Sequence, residues 1–305
     1  MNILFMGTPD FAATSLRGLC EGGYNVTGVI SQPDKPKNRG MQMQATPVKQ
    51  CAQEFGIDVY QPETLKDGAI QDYLDKIKPD IIVVVAYGKL LPPYVLDYPK
   101  YGCINIHGSL LPKYRGAAPI QWSILSGDKV TGVTSMYMAR GMDTGDMILK
   151  KEVEITDDMD AGALHDVLAV AGAQLLKETL DVIKAGTAPR IPQNDEEATY
   201  ASMLRKEMGL VDWNKSAEEI WCQIRGLSPW PSAYSFADGK RFKILSASVC
   251  DKNGTPGQVL ENKNSIVIAT GKGALEIHKL QFENKRAMTA AEYLVGNGFD
   301  KVQVD

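Results

Sequence analysis

A chain of 305 residues, 44% hydrophobic, is long enough for two domains with separate cores, at roughly 100–200 residues each. Its net charge of -4 offers no general attraction for a polyanion. The five cysteines, odd in number and without C-x-x-C spacing, argue against a disulfide framework and a zinc site. No apolar run approaches the roughly 18 residues of a membrane span, and Met1-Asn-Ile-Leu4 enters a strand without a basic leader, so a cytoplasmic protein with reduced thiols and no membrane partner is expected.

Asn2 to Met6 is a short apolar strand that stops at Gly7-Thr-Pro9, and Phe11, Leu16 and Leu19 then recur at helical spacing. The turn reads G-T-P-D-F and lacks the G-x-G-x-x-G that lets backbone approach a pyrophosphate, which disfavours a dinucleotide. A second strand spans 26–30. The polar, proline-broken segment from Ser31 to Gly40 is expected to be irregular. From Asp34 to Lys49 it holds Lys35, Lys37, Arg39 and Lys49 against Asp34, either a solvated loop or a contact for phosphates. Thr46 caps a helix that opens on Pro47 and ends at Gly56. An edge strand at 57–60 and a helix at 67–78 precede the most apolar run of the chain, 80–86, whose β-branched residues suit the middle of a parallel sheet.

Cys103-Ile-Asn-Ile-His107 alternates with the period of a strand, so Asn105 and His107 share one face at its end. Gly108 ends the strand, and Pro112 keeps Ser109 to Pro112 from becoming helix. The alternatives are a functional site and a strand tip satisfied by backbone. Cys103 and His107 alone have the spacing of a metal pair, and no second cluster completes it, so no metal is expected. A helix at 120–125 and a strand at 132–138 follow. The loop from Met138 to Asp146 carries Asp143, a carboxylate for His107 or a turn residue bonding its own backbone. Asp157, Asp158 and Asp160 serve the start of a long helix reaching about Lys184, and neither His165 nor His278 is given a role.

Strands alternating with helices argue an α/β fold with an open, mostly parallel, Rossmann-like sheet, taken to span residues 1–188. Residues 189–206 read as a linker. From 207 to 305, after a capping box at Ser216 to Glu219, short strands divided by Asp238-Gly239, Asn253-Gly254 and Gly271-Lys-Gly273 suggest a small antiparallel β-barrel of OB-like type.

An amide, an imidazole and a carboxylate without a framed nucleophile suit stabilisation of an oxyanion while an external nucleophile attacks a carbonyl, which is acyl or formyl transfer. Asn105-Ile-His107-Gly-Ser-Leu-Leu-Pro112 with Asp143 in Met142-Asp-Thr-Gly-Asp146 resembles the signature of folate-dependent formyltransferases. F-M-G-T-P-D-F at 5–11, V-A-Y-G-K-L-L-P at 85–92, Y-R-G-A-A-P-I at 114–120, Asp212-Trp213 and P-W-P at 229–231 resemble the branch acting on aminoacylated tRNA.

That resemblance, which runs from end to end, implies a monomeric enzyme that moves the formyl group of 10-formyltetrahydrofolate to the α-amino group of methionyl-initiator tRNA for translation initiation. Asn105 and His107 would hold the oxyanion, and Asp143 would orient His107 and help take the amine's proton. Folate would lie against Val85, Ala86, Tyr87, Gly88 and Leu90 and against Ser109, Leu110, Leu111 and Pro112. Arg39, with Lys35 and Lys37 beside it, would grip the acceptor stem, and the barrel would hold the tRNA body. The 34–49 segment matches the family's insertion that grips the acceptor stem, and its non-basic middle, Gly40 to Ala45, is a departure that shifts weight to Arg39 or the barrel. A relative acting on a small amine such as an amino-sugar nucleotide is the main alternative. The P-W-P entry and basic loop oppose it. A nicotinamide oxidoreductase is opposed by the missing glycine fingerprint, and a purely RNA-binding module by the unexplained Asn105, His107 and Asp143.

Overall fold

The short apolar strands read from the sequence line up side by side, with one reversal of order that leaves a crevice at their ends. The computed structural model describes residues 1–37 and 42–304. In chain order the first part contains β1 (Ile3–Gly7), α1 (Asp10–Glu21), β2 (Val26–Ile30), β3 (Lys35–Lys37), β4 (Gln42–Gln44), α2 (Pro47–Glu54), β5 (Val59–Tyr60), α3 (Gln71–Ile77), β6 (Ile81–Val85), α4 (Pro93–Leu96) and β7 (Cys103–His107). After β8 (Arg115–Gly116) and α5 (Pro119–Leu125) come β9 (Val130–Tyr137), β10 (Met147–Glu154), α6 (Ala161–Ala185) and β11 (Tyr200–Ala201).

The main sheet has the order β10-β9-β7-β6-β1-β2-β5. From β7 to β5 the strands are parallel, while β9 and β10 run antiparallel. Every residue of β1 and β6 is buried, as expected of central strands covered on both faces. The chain goes from β1 to β2 on one side and later returns to β6 on the other. The switch point therefore falls between β1 and β6, where ligands bind beyond the carboxyl ends of strands.

Two local expectations change. The segment read as irregular from Ser31 to Gly40 contributes β3, which pairs antiparallel with β4. Pro36 is tolerated there, opposite Met43, because an isolated two-stranded ladder leaves an edge on which a missing N–H costs nothing. The hairpin partner β10 was not anticipated, since Lys150, Lys151, Glu152 and Glu154 hide its alternation under charge.

The chain packs as two compact units, one of residues 1–116, 130–154 and 165–201, the other of 117–129, 155–164 and 202–305. The second unit thus draws in two segments from the stretch read as the first domain. The stretch read as a linker is bonded into the first unit as far as Ala201: Ile191 bridges Met147 and β11 pairs with β8. The second unit adds α7 (Ala217–Gly226), β12 (Ala233–Ala237), β13 (Lys240–Cys250), β14 (Val259–Glu261), β15 (Ile266–Ala269), β16 (Ala274–Phe282), β17 (Met288–Thr289) and α8 (Ala290–Leu294). Ser216 and Glu219 form the anticipated capping box, which buries Ala217, Ile220 and Ile224. The antiparallel sheet runs β12-β13-β16-β15-β14 with β17 on β16, around a core that includes Trp213, Phe242 and Phe299. Among the described residues its edge strands β12 and β14 do not pair with each other, so no closed barrel is present. Among the described residues no helix is long and apolar enough to cross a membrane.

Candidate active site

The strand β7 brings Asn105 and His107 to one face at its carboxyl end. His107 is buried, and its Nε2 donates to the carbonyl of Tyr114 at 2.8 Å. That bond turns Nδ1 toward Asp143, whose Oδ2 lies 3.7 Å away. The gap is too long for a hydrogen bond between the two groups and suits one atom of a third group placed to serve both. Asn105 is half-buried, and its carboxamide takes no hydrogen bond among the described residues.

Asp143 has a left-handed backbone, φ 53°, unusual for a residue with a Cβ. Its Oδ2 accepts from the Gly116 N–H at 2.9 Å. The segment Tyr114 to Gly116 therefore touches both reactive side chains, through a carbonyl on His107 and an N–H on Asp143. Gly116 must lack a side chain, because a Cβ there would meet the Ala201 carbonyl oxygen at 2.7 Å, and its φ of 116° disfavours any L residue. Between those contacts, the buried Arg115 donates from Nε to Gln193 Oε1 at 3.0 Å and from a terminal nitrogen to Asp195 at 2.8 Å. Gln193 Nε2 in turn donates to the carbonyls of Asp143 at 2.7 Å and Gly145 at 2.8 Å. Sequence reasoning missed Arg115, Gln193 and the backbone of Tyr114 and Gly116 as site residues. Only Y-R-G within the 114–120 match hinted at them.

The loop from Ser109 to Pro112 is clamped from behind. Thr134, fully buried on β9, donates to the Ser109 carbonyl at 2.7 Å and accepts from the Leu111 N–H at 3.1 Å, while Lys150 Nζ donates to the Leu111 carbonyl at 2.6 Å. Ser109 is itself buried and donates to the Lys113 carbonyl at 2.6 Å. Leu111 packs on Met136 and Met147. Of this loop, Leu110 and Pro112 keep partial exposure. Cys103 is buried, its thiol donating to the Val95 carbonyl at 3.5 Å and pushed up to about 12 by desolvation, so it remains a neutral packing group.

At the switch point a cleft of about 440 Å³ opens, in the size range of small-molecule sites. Thr8 and Pro9 after β1 and Ala86, Tyr87 and Gly88 after β6 line one side, with Lys35 and Pro36 of the hairpin on the other. Ala86 and Gly88 are exposed and left-handed, with a one-carbon side chain and none, so they present mainly backbone. Val85 and Tyr87 are buried in the core, the Tyr87 hydroxyl has no hydrogen-bond partner among the described residues, and Leu90 is exposed. Gln32 donates to the Tyr87 carbonyl at 2.8 Å, and Gln61 donates to both Gln32 and Asp34. Lys49, counted as part of the basic segment, is tied to Asp34 at 2.6 Å and cannot also serve a phosphate freely. Lys35 is exposed; Arg39 lies outside the described residues. Among the described residues no group of three or more His, Cys, Asp or Glu could hold a metal ion.

Residues 1–180 match the family model described as formyl transferase, and 203–298 match the formyl transferase C-terminal domain. A methionyl-tRNA formyltransferase of Agathobacter rectalis is 50% identical over 299 residues, covering 97% of this chain and 96% of that protein. One from Acetivibrio thermocellus is 50% identical over 301 residues, covering 97% of each. An N-formyltransferase from Helicobacter canadensis, solved with folinic acid and dTDP-3-aminofucose, aligns with a TM-score of 0.67 over 90% of this chain and 97% of that one, at 21% identity. HypX from Aquifex aeolicus in complex with tetrahydrofolic acid gives 0.63 at 18% identity over 99% of this chain, which spans 50% of HypX. At such identities these two structures speak for the fold alone. With both models matched in order and relatives half identical over nearly its whole length, the chain belongs to the formyl transferase family, in its methionyl-tRNA formyltransferase branch.

Proposed function

We propose that this protein transfers the formyl group of 10-formyltetrahydrofolate to the α-amino group of methionyl-initiator tRNA, for translation initiation in the cytoplasm, acting as a monomer. The observation that carries the reading is the pairing of His107 with Asp143 across 3.7 Å, beside the unbonded carboxamide of Asn105. The folate derivative, when bound, supplies an electrophilic formyl carbon. Attack by the amine moves charge onto the formyl oxygen, where Asn105 Nδ2–H and, in the protonated ring, His107 Nδ1–H are donors. Asp143, as the carboxylate, balances the charge on the protonated His107 until it takes the proton lost by the amine. As the oxyanion collapses, the bond from the formyl carbon to the folate nitrogen breaks, and that nitrogen leaves carrying a proton as tetrahydrofolate is released.

The cleft at the switch point is lined by none of Asn105, His107 and Asp143, and we assign its wall at Ala86 to Gly88 to the formyl donor. A pterin has an amide-like edge that backbone recognises, and the exposed turn at Ala86 and Gly88 offers backbone with little side chain in the way. Leu90, Leu110 and Pro112 are apolar groups open to the folate, while Val85, Tyr87, Ser109 and Leu111 act from beneath as support. The hairpin wall at Lys35 carries the segment, with Lys37 and Arg39, that we assign to the acceptor stem. The second sheet we read as OB-like: β13 is 11 residues long and bulged between Ile244 and Ala247, the kind of bend that curls a sheet.

Single-turnover formylation tests the reading, with methionyl-initiator tRNA, glycinamide ribonucleotide and an amino-sugar nucleotide offered separately. Product on the tRNA alone is expected. Turnover on a small acceptor instead would keep the chemistry of Asn105, His107 and Asp143 and overturn the assigned substrate.

A further inference from the structure

Gln193 stands in the aperiodic front half of the segment first read as a linker, yet three constraints meet on its carboxamide. Nε2 carries two protons and faces two carbonyls, those of Asp143 and Gly145, while Oε1 faces the Arg115 guanidinium. Rotating the amide by half a turn would set oxygen against two oxygens and N–H against N–H, so only one orientation is satisfied. Arg115 enforces that orientation and is itself fixed. It is 2% exposed, its side chain also holds Asp195, and its backbone N–H donates to the Thr199 carbonyl at 2.8 Å.

The loop needs such a grip. Asp143 sits in a left-handed conformation that surrounding structure must hold in place. Among the described residues its carboxylate is held from the side by one N–H, that of Gly116, which fixes an oxygen but not the backbone carrying it. We propose that Gln193 is a positioning residue for formyl transfer: by bonding the backbone on both sides of Thr144, it keeps the Asp143 carboxylate facing His107 Nδ1, with Arg115 setting the direction of the grip. This role rests on the formyl-transfer reading of the site and extends it to a residue that touches neither substrate.

Gln193→Glu tests it, because shape and the contact with Arg115 are kept while both donated protons are lost. The expected result is a fall in kcat of about 10- to 100-fold, the scale of a misplacement near 1 Å, with KM for tRNA and for the formyl donor within about threefold of wild type. In an Asp143→Ala background the same substitution is expected to change the residual single-turnover rate by less than about twofold, since what Gln193 positions is already gone. Gln193→Met, similar in length and without a donor, serves in the same way should the glutamate prevent folding, and near-UV circular dichroism verifies the fold of each. An unchanged kcat, a rise in KM alone, or an equal loss in the Asp143→Ala background overturns the proposal. Wild-type protein that formylates none of the three acceptors would instead overturn the functional reading, and this role with it.

Discussion

Thr134→Val removes one hydroxyl from a fully buried position and leaves the side chain's shape unchanged. That hydroxyl satisfies two backbone groups of the 109–112 loop at once, the carbonyl of Ser109 and the N–H of Leu111. Valine can serve neither. An unmade hydrogen bond costs about 1–3 kcal/mol for each buried group, so with two groups left unpaired the variant should lose about 2–6 kcal/mol of stability. The loop should loosen without detaching, because Lys150 still holds the Leu111 carbonyl. Thr134 is also the partner of His107 across β7 and β9, so the disturbance starts beside the imidazole. Urea unfolding followed by far-UV circular dichroism measures the loss. Tryptophan fluorescence would not serve, since Trp122, Trp213, Trp221 and Trp230 all belong to the second unit. A loss below about 0.5 kcal/mol would show that both backbone groups find other partners, and would refute the clamp.

His107→Ala should lower kcat about 100-fold or more with little change in either KM, as read by steady-state formylation. Arg39→Ala and Lys35→Ala should each weaken tRNA binding and make its salt dependence shallower by about one unit of slope per lost phosphate contact; a filter-binding titration that shows no change would remove that residue from the interface. Gly88→Ala places a Cβ 3.1 Å from Gln32 Nε2 at a φ of 82°, and should raise KM for the formyl donor more than for tRNA. Hydrogen bonds from Gln61 and Lys49 hold the Asp34 carboxyl below its usual range. A carboxylate depressed in this way contributes stability above the unfolded value, near pH 4, and loses it as pH falls through the folded value. The stability gap between wild type and Asp34→Asn should therefore shrink as pH falls below about 4 in acid unfolding curves, and a constant gap would exclude Asp34 as its source.

What the sequence made legible was the regular part. Alternation put Asn105 and His107 on one face of β7, the unbroken apolar run located β6 at the centre, and the carboxylate in the 138–146 loop does lie near the imidazole. What stayed hidden depends on contacts far along the chain. A single glutamine in an aperiodic stretch carries no local signal, so Gln193 emerges only when residues fifty positions apart meet. Backbone groups are equally silent: nothing in the letters Tyr114 and Gly116 says that one carbonyl holds His107 and one N–H holds Asp143. Charged residues masked the strand β10, and prolines masked the hairpin of β3 and β4. In both, an edge position relaxes the pattern that burial would otherwise impose.

The second unit's scattered composition has a consequence for synthesis. Helix α5 packs on α7, yet its last residue is Leu125 and the first of α7 is Ala217. As the chain leaves the ribosome, α5 and its apolar residues Trp122 and Leu125, which pack by Leu227 and Gly226, must wait roughly ninety residues for that cover, several seconds at about 5–20 residues per second. The first unit is complete in sequence at residue 201, so the earlier part of the chain can finish folding while this helix is still without its partner. Through that interval a short helix stands on the nascent chain with apolar side chains awaiting their partner, the kind of transiently exposed surface for which chaperones exist.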